Sequence, residues 1–314
     1  MVSSLPKTRI SYADYGWSVV TGCPPDQFNA KCSANCWASE LATRFPATHD
    51  IGCNGGGHCP EPIDGCDGCE LRPKPFSELI LHPDRLEQPL HTRKPGVVFV
   101  AAMGDLFHEQ VPDEFIDRVL FRVIDSPRFT FLFLTKRTTR MRDYFLPIFN
   151  EGRGAHWERI MRGPDHYQSR HGSFLAMRQG NPLPNVWLFA SITDQEDADA
   201  RIPELLATPA AHRGVSYEPA LAPVAFRPEW LGPGKVEQVI CGGESPRPRI
   251  IPTDEGQWLH DVMAQCKRAK IPCYRKQASI TILQTLRLKL VKFAPEPGDL
   301  AWNVRPKRKE QKDG

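Results

Sequence analysis

No apolar segment of the 314-residue chain approaches the ~20 residues that a membrane-spanning helix requires, which excludes a bilayer-spanning bundle. The first residues, MVSSLPKTRISYADYG, also lack the apolar core of a signal peptide, so the expected location is the cytoplasm and no membrane partner is expected. An excess of one charge is missing too. With 40 Lys and Arg against 37 Asp and Glu, the net charge of +3 is compatible with a polyanionic partner but excludes the strongly basic signature of a dedicated DNA-binding domain. The one dense basic stretch, VRPKRKEQKDG, reads as the solvated tail of a chain whose domain ends near residue 300, leaving 301–314 outside it. No internal repeat and no long low-complexity tract is present, which excludes solenoid architectures.

What the chain does have is cysteine, ten in all. In a reducing compartment that number argues for metal ligation or redox chemistry rather than a disulfide framework. Cys241, Cys266 and Cys273 are scattered through the C-terminal third, where a thiol also serves as a small buried apolar group. The others fall into two groups. Cys23, Cys32 and Cys36, in TGCPPDQFNAKCSANCWA, supply three thiolates, one short of a closed tetrahedral site. Cys53, Cys59, Cys66 and Cys69, in CNGGGHCPEPIDGCDGC, supply four with a C-x-x-C end, which suits a structural zinc or an auxiliary iron–sulfur cluster. The surrounding segment 46–75 is rich in Gly, Pro and Cys and has few apolar residues with which to fold, so a metal would pin it as an insertion.

Beyond this region strand-like and helix-like runs alternate. VVFVAA, FTFLFLT, NVWLFAS, GVSYEP, VEQVICGG and IPCYRK read as strands, several with the uninterrupted apolar character of strands buried on both faces. WASELATRF, PDEFIDRVLFRVI, RTTRMRDYFLPIF, DQEDADARIPELLA and GQWLHDVMAQCKRA read as helices. Segment 150–184 is polar and rich in Gly, Arg and His, a second insertion. The alternation predicts an α/β protein: a single domain over 1–300 built on a parallel sheet, as a partial or complete (β/α) barrel or an open doubly wound sheet.

Polar residues gather where each strand ends: MGDLFHE after VVFVAA, KR after FLFLT, SITDQ after WLFA, EP after VSY and ES after VICGG. Barrel sites are built at these C-terminal strand ends. Three thiolates beside such a mouth fit a [4Fe–4S] cluster with one iron left open, which S-adenosylmethionine can chelate to begin radical chemistry. In that arrangement Gly104 and Asp105 meet the amino group of S-adenosylmethionine, Lys136 or Arg137 its carboxylate, and Ser191 or Asp194 its ribose. Gly242 and Gly243 let a ligand approach the backbone before Glu244. Cys241 is a candidate hydrogen-atom donor or a core thiol, and Glu218 and Lys276 are candidate proton-transfer groups or a plain ion pair.

TGC followed by C-x-x-x-C-W-A, then HPDRLEQPL, MGDLFHE, FLFLTKR, NVWLFASITDQ, DADARIPELL, SYEPAL, ICGGES and KQ, in this order from about 15 to 277, resembles the phage three-cysteine-motif family, which is radical-SAM-like. Eight residues separate Cys23 from Cys32 and three separate Cys32 from Cys36, a wider loop than that family's and unlike the C-x-x-x-C-x-x-C radical-SAM signature. The resemblance implies a barrel of the radical-SAM type, the cluster and S-adenosylmethionine as cofactors, a reductant protein as partner, and a location in the host cytoplasm. Its most concrete implication is an isomerase of thymidine hypermodification, converting an N-linked glycinyl-thymine in phage DNA to a C-linked form. A base treated inside a duplex must be flipped out, so cations near the mouth are expected; Arg153, Arg159, Arg162, Arg170 and Arg178 are candidates, and an RNA substrate would call for the same charges. Two other readings stand beside this one: a non-catalytic, zinc-stabilised nucleic-acid-binding protein, and a radical-SAM enzyme acting on a small metabolite or peptide.

Overall fold

A computed structural model describes residues 3–24, 36–44, 76–149, 181–244, 255–278 and 291–292. Seven parallel strands form its central sheet: β1 (Tyr15–Trp17), β4 (Gly96–Val100), β5 (Phe129–Thr135), β6 (Val186–Ile192), β7 (His212–Tyr217), β8 (Gln238–Cys241) and β9 (Cys273–Arg275). They are hydrogen-bonded in the order β1-β4-β5-β6-β7-β8-β9, so each strand lies beside its successor and the sheet curls into a half-barrel. That is the partial (β/α) barrel among the expected alternatives. Two short ribbons complete the strands: β2 (Val20–Thr21) with β3 (Ile80–Leu81), and β10 (Gln277–Ala278) with β11 (Val291–Lys292).

Helices α1 (Trp37–Arg44), α2 (Asp113–Ile124), α3 (Thr138–Phe149), α4 (Gln195–Ala207) and α5 (Glu255–Ala269) fall between strands as the sequence periodicity predicts. Pro112 is the N-cap of α2, where its missing N–H costs no hydrogen bond. Asp194 caps α4, its Oδ1 accepting from the Asp197 N–H at 2.9 Å. Between β7 and β8 there is only a short 3₁₀ turn, Pro228–Trp230, and the space a helix would fill is taken by buried Val224, Phe226, Trp230 and Leu231.

The strands separate two cores because side chains alternate across a sheet. Val98, Phe131, Phe133, Leu188, Val215 and Val239 join the helices in one large cluster. Val97, Phe99, Leu132, Trp187, Phe189, Ile240 and Tyr274 fill the concave side together with Tyr12 and Ala13 from the N-terminal segment. That segment bridges the two edge strands, β1 and β9. The Tyr274 hydroxyl donates to Ser11 Oγ at 2.7 Å, and the Tyr12 and Tyr274 rings meet edge to face. Gly214 is forced by packing: a Cβ there would lie 2.2 Å from the Phe189 ring.

Cys32, Cys53, Cys59, Cys66 and Cys69, the 46–75 insertion, the five arginines of the second insertion and the 301–314 tail lie outside the described residues. No helix among the described residues is long and apolar enough to cross a membrane.

Candidate functional site

The C-terminal ends of the parallel strands carry three distinct groupings. The first surrounds the start of the cysteine loop. Beyond β2, the Gly22 N–H donates to the Met103 carbonyl at 2.9 Å and the Cys23 N–H to the Phe76 carbonyl at 2.7 Å. Met103 lies just past β4 and packs against Ala38 and Ala42 of α1, with Cys36, Leu41 and Phe76 around them. Cys23 and Cys36, thirteen positions apart in the chain, therefore border the same small cluster at the end of β4. Gly104 permits this approach, since a Cβ there would sit 2.9 Å from the Val20 carbonyl oxygen.

The segment HPDR locks the loop from the other side. Thr21 Oγ1 and His82 Nε2 lie 2.8 Å apart, the Arg85 guanidinium donates to the Ser18 carbonyl at 3.0 Å, and buried Trp17 donates from Nε1 to the Arg85 carbonyl at 2.8 Å. Sequence reading named none of Thr21, His82 or Arg85 as a site residue. HPDRLEQPL was visible as a motif, yet its partners, the Thr21 hydroxyl, the Ser18 carbonyl and the Trp17 indole, lie more than sixty residues away, and no sequence pattern records them.

The second grouping binds the loop after β4 to the loop after β5. Asp105 accepts from the Phe107 N–H (3.0 Å), the Thr135 hydroxyl (2.8 Å), the Lys136 N–H (3.3 Å) and Arg137 Nη1 (3.0 Å). Arg137 is 2 % exposed and also donates from Nε to Glu109 at 2.9 Å. Asp105 and Arg137, expected to hold opposite ends of an amino acid, are bonded to one another. A buried guanidinium needs a partner of opposite charge, and these two supply each other. Their role in this geometry is to fix the rim that carries Met103 and Gly104.

The third grouping lies on the inner face of the half-barrel and is layered. In register across the sheet, Ser191, Ser216, Ile240 and Tyr274 form one row. One step past the paired Thr135 and Ala190, Lys136 falls level with Ser191. Two residues above that row, Glu218, Gly242 and Lys276 form the next. The Gly242 N–H donates to the Tyr217 carbonyl at 3.1 Å and the Lys276 N–H to the Cys241 carbonyl at 2.8 Å, which carries the ladder up to this level. Lys276 Nζ reaches Glu218 Oε1 at 2.7 Å, with 18 % and 14 % of the two side chains exposed. The pair joins β7 to β9 across the position where β8 presents Gly242 and no side chain.

Beneath them is Tyr12, whose hydroxyl is pushed well above its usual pKa by burial first and then by the charge of Glu218 and the nearby Tyr274. It stays neutral far into the alkaline range. Neither Tyr12 nor Ser216 was singled out from the sequence. The two-residue spacing of Ser216 and Glu218 held a signal for the serine; Tyr12 sits before the first strand and had none.

The remaining expected residues are dispersed. Cys241 is fully buried on the helix-facing side, in the cluster that contains Val239, Val262 and Cys266, so it points away from the mouth. Its sulfur lies 3.9 Å from that of Cys273, and this hydrogen bond, with burial, raises the thiol well above its ordinary pKa. Two-residue alternation accounts for the placement: with Ile240 and Gly242 inward, Cys241 faces out. Asp194 is engaged as the cap of α4, while Gly243 and the buried Glu244 follow β8 beyond the inner row.

Thiolates are the donors that iron–sulfur clusters use, and Cys23 and Cys36 are both partly exposed at one end of β4, an arrangement that fits such a group. Among the described residues no set of three or more His, Cys, Asp or Glu side chains is grouped as a metal site, and Cys32, the remaining thiol of the triad, lies outside them. No curated protein and no solved structure matches the chain. Residues 7–295, spanning the half-barrel and both groups of N-terminal cysteines, match the sequence model of a family described as protein of unknown function (DUF5131), and the chain belongs to that family.

Proposed function

We propose that this protein is a radical-SAM enzyme that acts on a nucleic-acid base. The observation that carries the reading is the convergence of Cys23 and Cys36 on the Met103 cluster at the C-terminal end of β4, beside the mouth of a parallel half-barrel. In βα folds chemistry is assembled at that end of the strands. Cys23, Cys32 and Cys36 would hold a [4Fe–4S] cluster, and the chemistry it supplies with S-adenosylmethionine is a 5′-deoxyadenosyl radical able to abstract an unactivated hydrogen atom.

The chain's own residues do the rest. Gly104 keeps the cysteine loop close to β4. The Asp105–Arg137–Glu109 network holds the rim rigid, as a reactive site requires of its support. Ser191, Ser216 and Lys136 offer hydroxyls and an ammonium to a polar ligand above an apolar floor of Phe99, Leu132 and Phe189. That floor excludes water from below. The arginine-rich 150–184 segment is the sequence argument for a polyanionic substrate, with base modification in phage DNA its most specific form.

The test is anaerobic reconstitution with iron and sulfide, followed by a visible spectrum and quantitation of 5′-deoxyadenosine. Single replacement of Cys23, Cys32 or Cys36 by Ala is expected to abolish cofactor cleavage. Replacing Cys66 or Cys69 should instead lower the yield of folded protein. A wild-type protein that binds zinc, shows no iron–sulfur absorption and releases no 5′-deoxyadenosine would overturn the reading in favour of a zinc-stabilised binding protein.

A further inference from the structure

The row Glu218–Gly242–Lys276 has a composition that an ordinary surface ion pair does not require. All three residues stand on the concave face one layer above the serines, in register across β7, β8 and β9. The outer two are charged and the middle one has no side chain. Glu218 and Lys276 meet at 2.7 Å over that gap, mostly shielded from water yet still reachable from the mouth. Below them the floor is aromatic: Tyr274 is in the next row down, and the Tyr12 ring centroid lies 5.9 Å from Lys276 Nζ.

This arrangement presents a strong hydrogen-bond acceptor directly beside a strong donor, with the two formal charges cancelling. A ligand that carried a net charge would have to overcome desolvation against a neutral pair. A neutral ligand whose own donor and acceptor are adjacent meets both groups at once, its N–H toward the carboxylate and its C=O toward the ammonium. An ammonium has three protons to donate and a carboxylate about four lone-pair sites on its two oxygens, so each group can meet a ligand in addition to its protein partners. The geometry points to a recognition site for a nucleobase lactam edge, an N–H beside a C=O, seated against Gly242 between Glu218 and Lys276. Thymine, uracil and guanine carry that edge; adenine and cytosine do not. The inference rests on the nucleic-acid-base reading above and names the class of base.

It is tested by binding to the full-length protein, without cluster or cofactor turnover, using thymidine, guanosine, adenosine and N3-methylthymidine, and then single-stranded oligothymidylate and oligoadenylate. Thymidine or guanosine should bind at least about tenfold more tightly than adenosine, the worth of one charge-assisted hydrogen bond. The tighter of the two names the base, and the oligonucleotide arm shows whether it is read as a nucleoside or within a strand. N3-methylation, which removes the N–H, should weaken thymidine by a similar factor. In E218Q the same methylation should matter less, because the carboxylate that read the N–H is gone, and K276R should retain more binding than K276M. A G242A variant that folds with unchanged melting temperature should lose binding. Equal binding of thymidine, guanosine and adenosine, equal binding of thymidine and N3-methylthymidine where thymidine is the tighter of the two, or wild-type binding by a folded G242A would overturn the inference. Failure here with 5′-deoxyadenosine still released would leave the radical-SAM reading standing; selective binding by a protein that never assembles a cluster would do the reverse.

Discussion

Replacing Asp105 by Asn changes one atom's identity and almost no volume, and the structure predicts a large effect. The carboxylate accepts four hydrogen bonds, from two backbone N–H groups, the Thr135 hydroxyl and Arg137. An amide in its place turns one acceptor into a donor aimed at donors. Arg137, 2 % exposed, loses its buried carboxylate partner, while its bond to Glu109 runs to a side chain that is 53 % exposed and screened by solvent. Breaking a buried pair on one side costs about 3–5 kcal/mol, because the surviving charge is uncompensated. For a chain of this size, an unfolding entropy of about 2.1 cal/mol/K per residue converts each kcal/mol to roughly 1.5 °C, so the melting temperature should fall by about 5–8 °C. Glu109→Gln, at the exposed end of the same network, should cost less than about 1 kcal/mol. Joint replacement of Asp105 and Arg137 by apolar residues should cost less than the sum of the two single changes, as expected for directly bonded partners. Thermal and urea unfolding of these variants and of the two single apolar replacements measure all of these quantities. Additive losses, or a Glu109 effect equal to that of Asp105, would refute the assignment of this pair as the anchor of the rim.

Gly214→Ala drives a Cβ to 2.2 Å from the Phe189 ring and should destabilise the fold by about 1–3 kcal/mol in urea titration, with partial rescue by Phe189→Leu. Gly104→Ala places a Cβ 2.9 Å from the Val20 carbonyl and should lower iron incorporation by the reconstituted protein more than it lowers the melting temperature, since the strain falls on the segment leading to Cys23. Tyr12 has its hydroxyl pKa raised on folding, so its contribution to stability is complete below the unfolded value near 10 and is lost as pH rises toward the folded value. Between about pH 9 and 11.5 the wild type should therefore lose stability more steeply than Tyr12→Phe, as read by urea midpoints across that range.

Much of the architecture was legible because buried parallel strands and amphipathic helices leave local marks. FTFLFLT became β5 over the same seven residues, and DQEDADARIPELLA became α4 with Asp194 as its cap. Lys136, Ser191 and Glu218 were chosen as polar residues at strand ends, Gly242 as a point of close backbone approach and Lys276 as a proton-transfer candidate, and the sheet gathers them on one concave face. Three features were not legible. Cys241 stood between a hydrogen-atom donor at the mouth and a core thiol until the alternation of β8 was anchored by Ile240 facing inward. Arg137 and Asp105 looked like ligand-binding charges, and only the meeting of two loops thirty-two residues apart pairs them. Tyr12 enters the interior from a segment outside the repeating strand–helix pattern.

The sequence by itself determined the α/β class, the alternation of strands with helices, and the polar strand ends, because each of these depends on near neighbours in the chain. Tertiary structure decided which of those polar groups face inward, which charges are consumed by one another, and that Cys36 packs at the Met103 cluster to which the backbone of Cys23 is tied through Phe76. These are long-range matters of sheet curvature, side-chain alternation and burial, set by residues that have no reason to be close in the chain.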